Sequence, residues 1–383
     1  MGKAEEIRYV GVNDHQIDLF EGQFDVPQGM AYNSYVLCDQ KTAVFDTVDI
    51  KFCDEWLKNI ERELNGKAPD YLVVLHMEPD HSGSIRRFWE TYPSCKLVAT
   101  MKAVSMMPQF FGEDFLPETI SVKTGDTLNL GSSEISFLTA PMVHWPEVMM
   151  AYDAKSKTLF SADAFGKFGA LDRDEDWTDE ARRYYFGIVG KFGPQVQNVL
   201  KAAAELDIKR ICPLHGPVLG EDLGYYMKLY DTWSSYSPEE EGVVINFTSV
   251  YGNTKKAVLY LEKCLTELGC PKVVVNDLAR CDIHKAVADC FRYSGMILAT
   301  TTYNGGIFPF MHQLLHGLSE RGFKKRKIGL VENGTWALAA AKTIVSLLEG
   351  CKELEFAETT VSIKSAMTDQ NCEQLMALAK EFV

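Results

Sequence analysis

Seven side chains of metal-binding type occur in four short segments of the sequence. Four are imidazoles and three are carboxylates, which are too many ligands for one metal ion and suit two. Imidazole combined with several carboxylates favours redox-active first-row ions such as iron or manganese, whereas thiolates select zinc or iron–sulfur clusters. The candidate ligands are His76, Glu78, Asp80, His81, His144, Asp163 and His215. The pattern predicts a dinuclear metal site in which a carboxylate bridges two ions.

Probable strands stand directly before most of these ligands. The runs at residues 70–75, 158–162 and 210–214 are mainly apolar, as expected for buried strands. Each run ends immediately before a candidate ligand, so the ligands are predicted to lie in loops at the ends of strands. Loops in that position can converge on one pocket without disturbing the core.

A second group of polar residues follows three probable strands in the other half of the chain. Residues 248–254 read Thr-Ser-Val-Tyr-Gly-Asn-Thr and separate an apolar run from a helical pattern that starts at Lys255. Such a turn offers backbone N–H groups, hydroxyls and a helix N-terminus to a phosphate, although many turns of this composition only cap a helix. Two further loops, at residues 300–306 and 332–336, also follow apolar runs.

These three loops are expected to meet. In a doubly wound parallel sheet, ligands bind beyond the carboxyl ends of the strands, near the point where the strand order reverses. Tyr303 and Trp336 could supply faces or edges for a flat aromatic ring, or they could be packing residues. The residues predicted to contact a phosphate-bearing ligand with such a ring are Thr248, Ser249, Val250, Tyr251, Gly252, Asn253, Thr254, Thr302, Tyr303, Asn304, Gly305, Gly306, Asn333, Gly334, Thr335 and Trp336.

Length and composition predict two globular domains. The chain has 383 residues, of which 46% are hydrophobic and 24% are charged. A polar, acidic stretch at residues 233–242 is the best candidate for a linker, which predicts domains at 1–240 and 241–383. Strand and helix patterns in the first half suit an αββα sandwich of two mixed sheets, and those in the second half suit a doubly wound parallel sheet.

Charge and cysteine content restrict the location and the partners. A net charge of −14 argues against binding to nucleic acid or to anionic membranes. Ten cysteines without a Cys-x-x-Cys pair give no support for a rubredoxin-type iron site, and they are expected to be free thiols in a reducing compartment. The N-terminal segment, residues 1–7, has no apolar core of a signal peptide and no myristoylation signal, so a cytoplasmic location is expected.

The first motif carries a family resemblance. Residues 76–81, His-Met-Glu-Pro-Asp-His, match the metallo-β-lactamase signature His-x-His-x-Asp-His at every position but one. His144, Asp163 and a Pro-x-His-Gly segment around His215 follow in the order of that superfamily. The exception is Glu78, where zinc hydrolases of the superfamily carry histidine and the iron-containing flavodiiron proteins carry glutamate. The first half of the chain therefore resembles a flavodiiron protein.

The second half strengthens this resemblance. Residues 248–254 resemble the flavodoxin loop that holds the phosphate of FMN, whereas Asn333-Gly-Thr-Trp336 departs from the Tyr-Gly-Trp arrangement common in flavodiiron proteins, which makes the ring contacts less secure. The resemblance covers nearly the whole chain and is closest to the minimal class, which has no rubredoxin or flavin-reductase extension. It implies an N-terminal metallo-β-lactamase-like domain followed by a flavodoxin-like domain that binds FMN.

The resemblance also implies a function. Flavodiiron proteins reduce dioxygen to water, nitric oxide to nitrous oxide, or both, at a non-haem diiron site fed by FMN, and they protect cells against oxygen or nitrosative stress. Transferred by position, one iron is held by His76, Glu78 and His144, and the other by Asp80, His81 and His215, with Asp163 as the bridge. His81 is the weakest assignment, because the equivalent side chain turns away in some members. No separate acid or base is assigned.

Several alternatives stay open at this point. The family implies a head-to-tail homodimer or a dimer of dimers, with an external electron donor such as rubredoxin or, in methanogens, reduced coenzyme F420. The chain could instead be a zinc-dependent hydrolase of the metallo-β-lactamase superfamily or an electron-transfer flavoprotein module. The sequence does not distinguish dioxygen from nitric oxide as the preferred substrate, because both use the same ligands.

Overall fold

The computed structural model describes residues 6–383. Residues 1–5, which carry most of the N-terminal segment used above for targeting signals, lie outside the described residues. Spatial contacts divide the described chain into two compact units. Unit 1 comprises residues 6–185 and 194–231, and unit 2 comprises residues 186–193 and 232–383. The assignment of domains to 1–240 and 241–383 stays a prediction, since contact grouping does not define where a functional domain begins.

Unit 1 contains many short strands. They are β1 (Glu6–Tyr9), β2 (Val12–Asp14), β3 (Leu19–Phe20), β4 (Phe24–Asp25), β5 (Met30–Tyr32), β6 (Tyr35–Cys38), β7 (Thr42–Phe45), β8 (Tyr71–Val73), β9 (Lys96–Thr100), β10 (Thr119–Val122), β11 (Thr127–Asn129), β12 (Glu134–Thr139), β13 (Met149–Asp153), β14 (Thr158–Phe160) and β15 (Arg210–Cys212).

Amphipathic helices accompany these strands. In α1, Trp56, Ile60 and Leu64 recur every four residues and are buried, and Asn65 ends the helix in a left-handed conformation. The helices up to residue 234 are α1 (Cys53–Leu64), α2 (Pro79–Ser82), α3 (Ile85–Thr91), α4 (Met101–Phe111), α5 (Trp177–Tyr184), α6 (Gly193–Ala203) and α7 (Leu223–Ser234), with 3₁₀ turns at Ile50–Phe52 and Gly190–Phe192 and a π-helical turn at Tyr185–Val189.

Two mixed sheets form the centre of unit 1. The first has the strand order β1-β6-β7-β8-β9-β10, and the second has the order β11-β12-β13-β14-β15. The rings of Phe45 on β7 and Phe160 on β14 stack with centroids 3.8 Å apart, so the two sheets pack face to face. Both rings are fully buried. The predicted αββα sandwich is confirmed.

Unit 2 is built on a parallel sheet with the order β17-β16-β18-β20-β21. This is the 2-1-3-4-5 order of doubly wound sheets of the flavodoxin type, as predicted. Its elements are β16 (Glu240–Phe247), α8 (Asn253–Glu267), β17 (Val273–Asp277), α9 (Ile283–Arg292), β18 (Tyr293–Tyr303), β19 (Gly306–Ile307), α10 (Pro309–Glu320), β20 (Lys324–Asn333), α11 (Ala340–Leu347), β21 (Lys352–Ile363) and α12 (Asp369–Lys380).

The apolar runs of the sequence fill the core of this unit. Ile245, Phe247, Ile297 and Val331 lie on neighbouring strands and belong to one buried cluster with residues of α8 and α12. Strands covered on both faces need such continuous apolar runs. Across residues 6–383, the structure contains no helix that is both long enough and apolar enough to cross a bilayer.

Candidate metal centre and flavin pocket

The first ligand segment lies just beyond β8. His76 and Glu78 are in the loop that follows this strand, whereas Asp80 and His81 lie on α2, a single helical turn. The sequence predicted a loop throughout. The turn begins with Pro79, whose fixed φ angle and missing N–H group suit the first position of a helix. The helical turn directs two adjacent ligands into the same pocket.

Strand direction brings the later ligands to the same edge. Because β13 runs antiparallel to both β12 and β14, and β14 runs parallel to β15, the strands β12, β14 and β15 all point the same way. His144, Asp163 and His215 follow the ends of these three strands. Their convergence is therefore a consequence of topology rather than of local sequence.

Four of the predicted ligands form a first group: His76, Glu78, His144 and Asp163. Nε2 of His144 lies 3.0 Å from Oε2 of Glu78, 3.1 Å from Oδ2 of Asp163 and 3.3 Å from Nε2 of His76. All but Glu78 are buried, and the side chain of Glu78 is only 14% exposed. Four donor atoms of the types expected for a metal ion thus face one point.

The other three ligands form a second group. Nε2 of His81 lies 3.1 Å from Nε2 of His215 and 3.3 Å from Oδ2 of Asp80. Asp163 faces both groups, because its Oδ2 atom is 3.1 Å from His144 and its Oδ1 atom is 3.1 Å from Nε2 of His81. A carboxylate with one oxygen toward each group has the geometry of a bridge between two ions.

The donor atoms fit a pair of first-row metal ions. Two ligand atoms about 2.1 Å from a shared ion and at right angles lie about 3.0 Å apart, close to the distances between the paired Nε2 atoms. Over residues 6–383, both carboxylate oxygens of Asp80 and Oδ1 of Asp163 are buried and accept no hydrogen bond of good geometry, although Nε2 of His81 lies 3.3 Å from Oδ2 of Asp80 and 3.1 Å from Oδ1 of Asp163. Since buried carboxylates need a cation or a hydrogen bond, metal ions would satisfy these atoms.

The electrostatics of the cluster also favour bound cations. Burial acts to lower the pKa of His144, but hydrogen bonds to Asp163 and Glu78 raise it to about 9. Burial acts to raise the pKa of Asp163, but the charges of His76 and His81 hold it well below its usual range. Positive charge is thus stabilised at the ligand atoms, where protons and metal ions compete.

Sequence reasoning missed three residues around these ligands. Asp46 is buried after β7 and accepts the N–H groups of Leu75 at 2.8 Å and His76 at 3.2 Å, which fixes the start of the ligand loop. Glu147 is buried with Oε1 2.8 Å from Nδ1 of His76. An Asp directly after an apolar strand was the available signal for Asp46, whereas nothing in the local sequence links Glu147 to His76.

The third missed residue is Tyr184, at the end of α5. Its side chain is fully buried, and its hydroxyl has no hydrogen-bond partner within the described chain. Burial, together with the charges of Asp163 and Glu78, raises the pKa of this phenol well above its usual value, so the hydroxyl keeps its proton. The tyrosine ring also packs against His215, with centroids 5.5 Å apart.

The predicted ligand loops of unit 2 surround a cavity of about 570 Å³. Thirteen of the sixteen predicted residues line it: Ser249, Val250, Tyr251, Asn253, Thr254, Thr302, Tyr303, Asn304, Gly305, Asn333, Gly334, Thr335 and Trp336. Thr248, Gly252 and Gly306 do not line it, and Thr301, Ala337 and Ser365 are lining residues that the sequence did not indicate. The volume lies in the range of small-molecule and cofactor sites.

One side of the cavity resembles a phosphate site. Gly252 adopts a positive φ of 91° directly before α8, and its N–H donates to Oγ of Ser249. The buried Thr254 lies in the first turn of that helix. Backbone N–H groups at a helix N-terminus together with hydroxyls bind phosphate well.

The cavity lining also includes exposed aromatic side chains. Tyr251 is 95% exposed and Trp336 is 93% exposed, and both belong to the cavity wall. Asn333 is held in place by two hydrogen bonds of 3.0 Å with the backbone of Ser365. Large exposed aromatic side chains beside a polar cradle suit a ligand that combines a phosphate with a flat ring.

Comparison with known proteins found a matching family model and similar sequences. A family model described as ODP family beta lactamase matches residues 30–216. An anaerobic nitric oxide reductase flavorubredoxin of Aliivibrio fischeri is 29% identical over 98% of this chain and 76% of its own length. One from Escherichia coli is 29% identical over 90% of this chain and 74% of its own length.

Solved structures are also similar to this chain over nearly its whole length. The rubredoxin oxygen:oxidoreductase of Desulfovibrio gigas has a TM-score of 0.91 and 26% identity, covering 98% of this chain and 96% of its own. The flavodiiron protein of Giardia intestinalis has a TM-score of 0.91 and 25% identity, covering 100% of this chain and 96% of its own. The similarity therefore spans both units and is not confined to either candidate site.

Proposed function

Because this chain belongs to the flavodiiron protein family, we propose that it reduces dioxygen to water, nitric oxide to nitrous oxide, or both. The observation that carries the proposal is the pair of facing ligand groups joined by Asp163, whose two oxygens are each 3.1 Å from an imidazole of a different group. A site for two adjacent ions suits the binding of a diatomic molecule. The reaction would protect the cell against oxygen or nitrosative stress.

The cofactors proposed are two non-haem iron ions and FMN. One iron would be held by His76, Glu78 and His144, the other by Asp80, His81 and His215, and Asp163 would bridge them. Once bound, a ferrous pair and reduced FMN would supply the four electrons needed to convert dioxygen to water, whereas two nitric oxide molecules need only two electrons. Imidazole and carboxylate ligands without thiolate suit iron.

Side chains around the ligands would control protons and water. The hydroxyl of Tyr184 is a neutral proton donor without a partner in the described chain, so it would be available to hydrogen-bond a bound diatomic molecule. Phe20 and Phe168 pack on each other with ring centroids 5.8 Å apart, and Phe20 lies edge-on to His215. These apolar rings would limit the access of water to one side of the site.

FMN would occupy the cavity of unit 2. The loop at residues 248–254 would bind the phosphate through backbone N–H groups and the hydroxyls of Ser249 and Thr254, and Tyr303 and Trp336 would contact the flavin ring. We assign the iron site to a domain at residues 1–240 and FMN to a domain at residues 241–383.

The remaining parts of the proposal concern partners. Family membership supports a head-to-tail homodimer or a dimer of dimers, and an external donor such as rubredoxin or, in a methanogen, reduced coenzyme F420. The highly exposed Tyr251 and Trp336 beside the flavin cavity suit contact with another protein surface. Ten free thiols suit a reducing compartment, in keeping with a cytoplasmic location.

The test begins with protein whose iron and FMN contents have been measured. The protein is reduced anaerobically by NADH and rubredoxin, and consumption of dioxygen and of nitric oxide is followed on electrodes. Rapid loss of dioxygen without peroxide identifies an oxygen reductase, and dominant loss of nitric oxide identifies a nitric oxide reductase. No consumption of either gas by iron- and flavin-replete protein would contradict the proposal and would favour a hydrolase or an electron carrier.

A matched pair of variants tests the site itself. Asp163→Asn replaces the bridging carboxylate by an amide, so most activity should disappear while FMN is retained. Asp54→Asn makes the same change in a side chain that is 79% exposed and forms an ion pair with Arg87 on the surface, and its activity should be normal. Full turnover by Asp163→Asn would contradict the assignment of the bridge.

A further inference from the structure

Glu147 is a buried carboxylate outside the set of seven ligands. Glu147 lies in the loop between β12 and β13, and its side chain is 0% exposed. Oε1 lies 2.8 Å from Nδ1 of His76 and accepts the N–H of Met77 at 2.9 Å. One carboxylate oxygen therefore holds both the ring and the backbone of the first ligand loop.

This contact fixes the chemical form of the imidazole. An ionised carboxylate can only accept hydrogen bonds, so Nδ1 of His76 is a donor to Glu147, and in the neutral imidazole Nε2 is then the nitrogen that can bind a metal ion. A carboxylate in this position draws the ring proton toward itself, which increases the electron density on Nε2 and strengthens it as a ligand. Asp46 also holds the backbone N–H of His76. The ring and the backbone of this ligand are thus oriented by contacts outside the ligand set.

The other candidate imidazoles have different outer contacts. Nδ1 of His215 lies 2.7 Å from the backbone carbonyl of Ala31, and Nδ1 of His81 is buried with no hydrogen-bond partner in the described part of the chain. Over residues 6–383, His76 is the one ligand imidazole whose Nδ1 atom is hydrogen-bonded to a carboxylate. The strongest polarisation of a ring is therefore confined to one of the two groups.

The two groups are otherwise equivalent in composition. Each contains two imidazoles and one carboxylate of its own, and each faces one oxygen of Asp163. Ligand number and type alone would give two metal positions of similar strength. The hydrogen bond of Glu147 to His76 is a chemical difference that favours the position formed by His76, Glu78 and His144.

We propose that Glu147 is a positioning residue that makes the two metal positions unequal. The His76 position retains its ion more strongly, and the His81 position exchanges its ion more readily. The inference rests on the proposed diiron function, since it assumes that both positions hold iron. The order in which the two ions bind and leave is then set by a residue outside the ligand set.

The test measures release of iron from the intact holoprotein. Reduced protein is mixed anaerobically with an excess of a chromogenic ferrous chelator, and release is followed by absorbance. Wild-type protein should release its two irons in a fast and a slow phase of equal amplitude. Asp80→Asn, which weakens the second position, should leave protein that contains mainly the slowly released iron.

Glu147→Gln is the decisive variant. The amide oxygen can still accept the N–H of Met77, but the negative charge that polarises His76 is lost. Because outer partners of metal ligands typically change metal affinity by about 10- to 100-fold, the slow phase should accelerate by a similar factor while the fast phase stays the same. Glu147→Asp keeps the charge on a shorter side chain and should restore part of the difference.

Thr100→Val is the control for a general loosening of the structure. The Thr100 hydroxyl donates to the backbone carbonyl of Glu147 at 3.0 Å and also caps α4, so its removal destabilises the same region without touching the carboxylate. This variant should lower the unfolding midpoint but leave both release phases unchanged. Flavin content should remain normal in every variant.

The outcomes separate the inference from the proposed function. A single release phase for both irons in wild-type protein, or an unchanged slow phase in Glu147→Gln, would overturn the inequality while the diiron function stands. Acceleration of both phases to the same extent in Glu147→Gln and Thr100→Val would also overturn it, because loosening would then explain the effect. Protein that binds no iron would instead contradict the proposed function.

Discussion

The third loop of the flavin cavity depends on the absence of a side chain at Gly334. A Cβ atom at this position would lie 2.1 Å from the carbonyl oxygen of Ala337, and real Cβ atoms do not approach other atoms within 3.0 Å. The N–H of Gly334 is fixed by a hydrogen bond to Ile363 on β21. In Gly334→Ala the segment that follows must therefore move by about 0.9 Å, the difference between 3.0 and 2.1 Å.

The displaced segment forms part of the cavity wall. It carries Thr335 and Trp336, both of which line the cavity. An aromatic contact contributes about 0.5–1.5 kcal/mol and a hydrogen bond a similar amount, so the loss of both would cost about 1–3 kcal/mol of binding free energy. At about 1.4 kcal/mol for each tenfold change, the Kd for FMN should rise roughly 5- to 150-fold.

Gly269→Ala is the matched control, in the same unit but outside the cavity lining. Gly269 has a φ of +90° and no described atom within 4 Å of an added Cβ, so the substitution produces backbone strain without a clash. The strain costs about 1–2 kcal/mol, and it is present with and without FMN. Stability should therefore fall while the Kd changes by less than about twofold.

The assay is a titration of FMN into flavin-depleted protein, followed by quenching of flavin fluorescence. Circular dichroism and iron content establish that each variant is folded. The reasoning about Gly334 would be refuted by a folded Gly334→Ala protein whose Kd lies within twofold of the wild-type value. An equal loss of affinity in both variants would also refute it, since strain rather than displacement of the wall would then be responsible.

Three further predictions follow from other parts of the chain. Tyr184→Phe removes a buried hydroxyl beside the ligands that has no partner among residues 6–383, so turnover measured on gas electrodes should fall about tenfold while the iron and FMN contents stay normal. Asn33→Ala removes hydrogen bonds of 2.9 and 2.7 Å to the carbonyls of Pro213 and Gly216, so denaturant unfolding should show a loss of about 2–3 kcal/mol. Burial raises the pKa of Cys281 to about 11, so its thiolate fraction at pH 8 is about 0.1%, and its iodoacetamide labelling rate, measured by mass spectrometry, should rise about tenfold per pH unit from pH 8 to 10. A rate that levels off near pH 9 would contradict that assignment.

The sequence predicted well those features that depend on the order of elements along the chain. Apolar runs identified the strands before His76, Asp163 and His215, and the strand directions bring the ends together. The same reasoning predicted the loops around the flavin cavity, because parallel strands place successive loops at one edge of a sheet. Features of this kind need only correct strands and a correct sheet order.

Contacts made across the fold were beyond the reach of the sequence. Ser365 lies just after β21 and reaches the cavity only because β21 pairs with β20, which positions it beside Asn333. Glu147 lies 71 residues from His76, and a hydrogen bond over such a separation follows from packing rather than from a motif. The turn of α2 was also missed, since its four residues are too few to show helical periodicity.

Two kinds of structural feature determine the candidate metal centre, and they differ in how easily a mutation changes them. Strand directions bring the seven ligand positions together, so a substitution outside the ligand set that preserves the sheets should preserve the two groups of candidate ligands. The strength of each position depends instead on single outer contacts, such as Glu147 with His76 and the carbonyl of Ala31 with His215. A side-chain contact can be altered by one substitution, whereas a backbone contact cannot. The relative strength of the two metal positions should therefore vary among related chains more readily than the ligand set itself, and mainly through the residue at the position of Glu147.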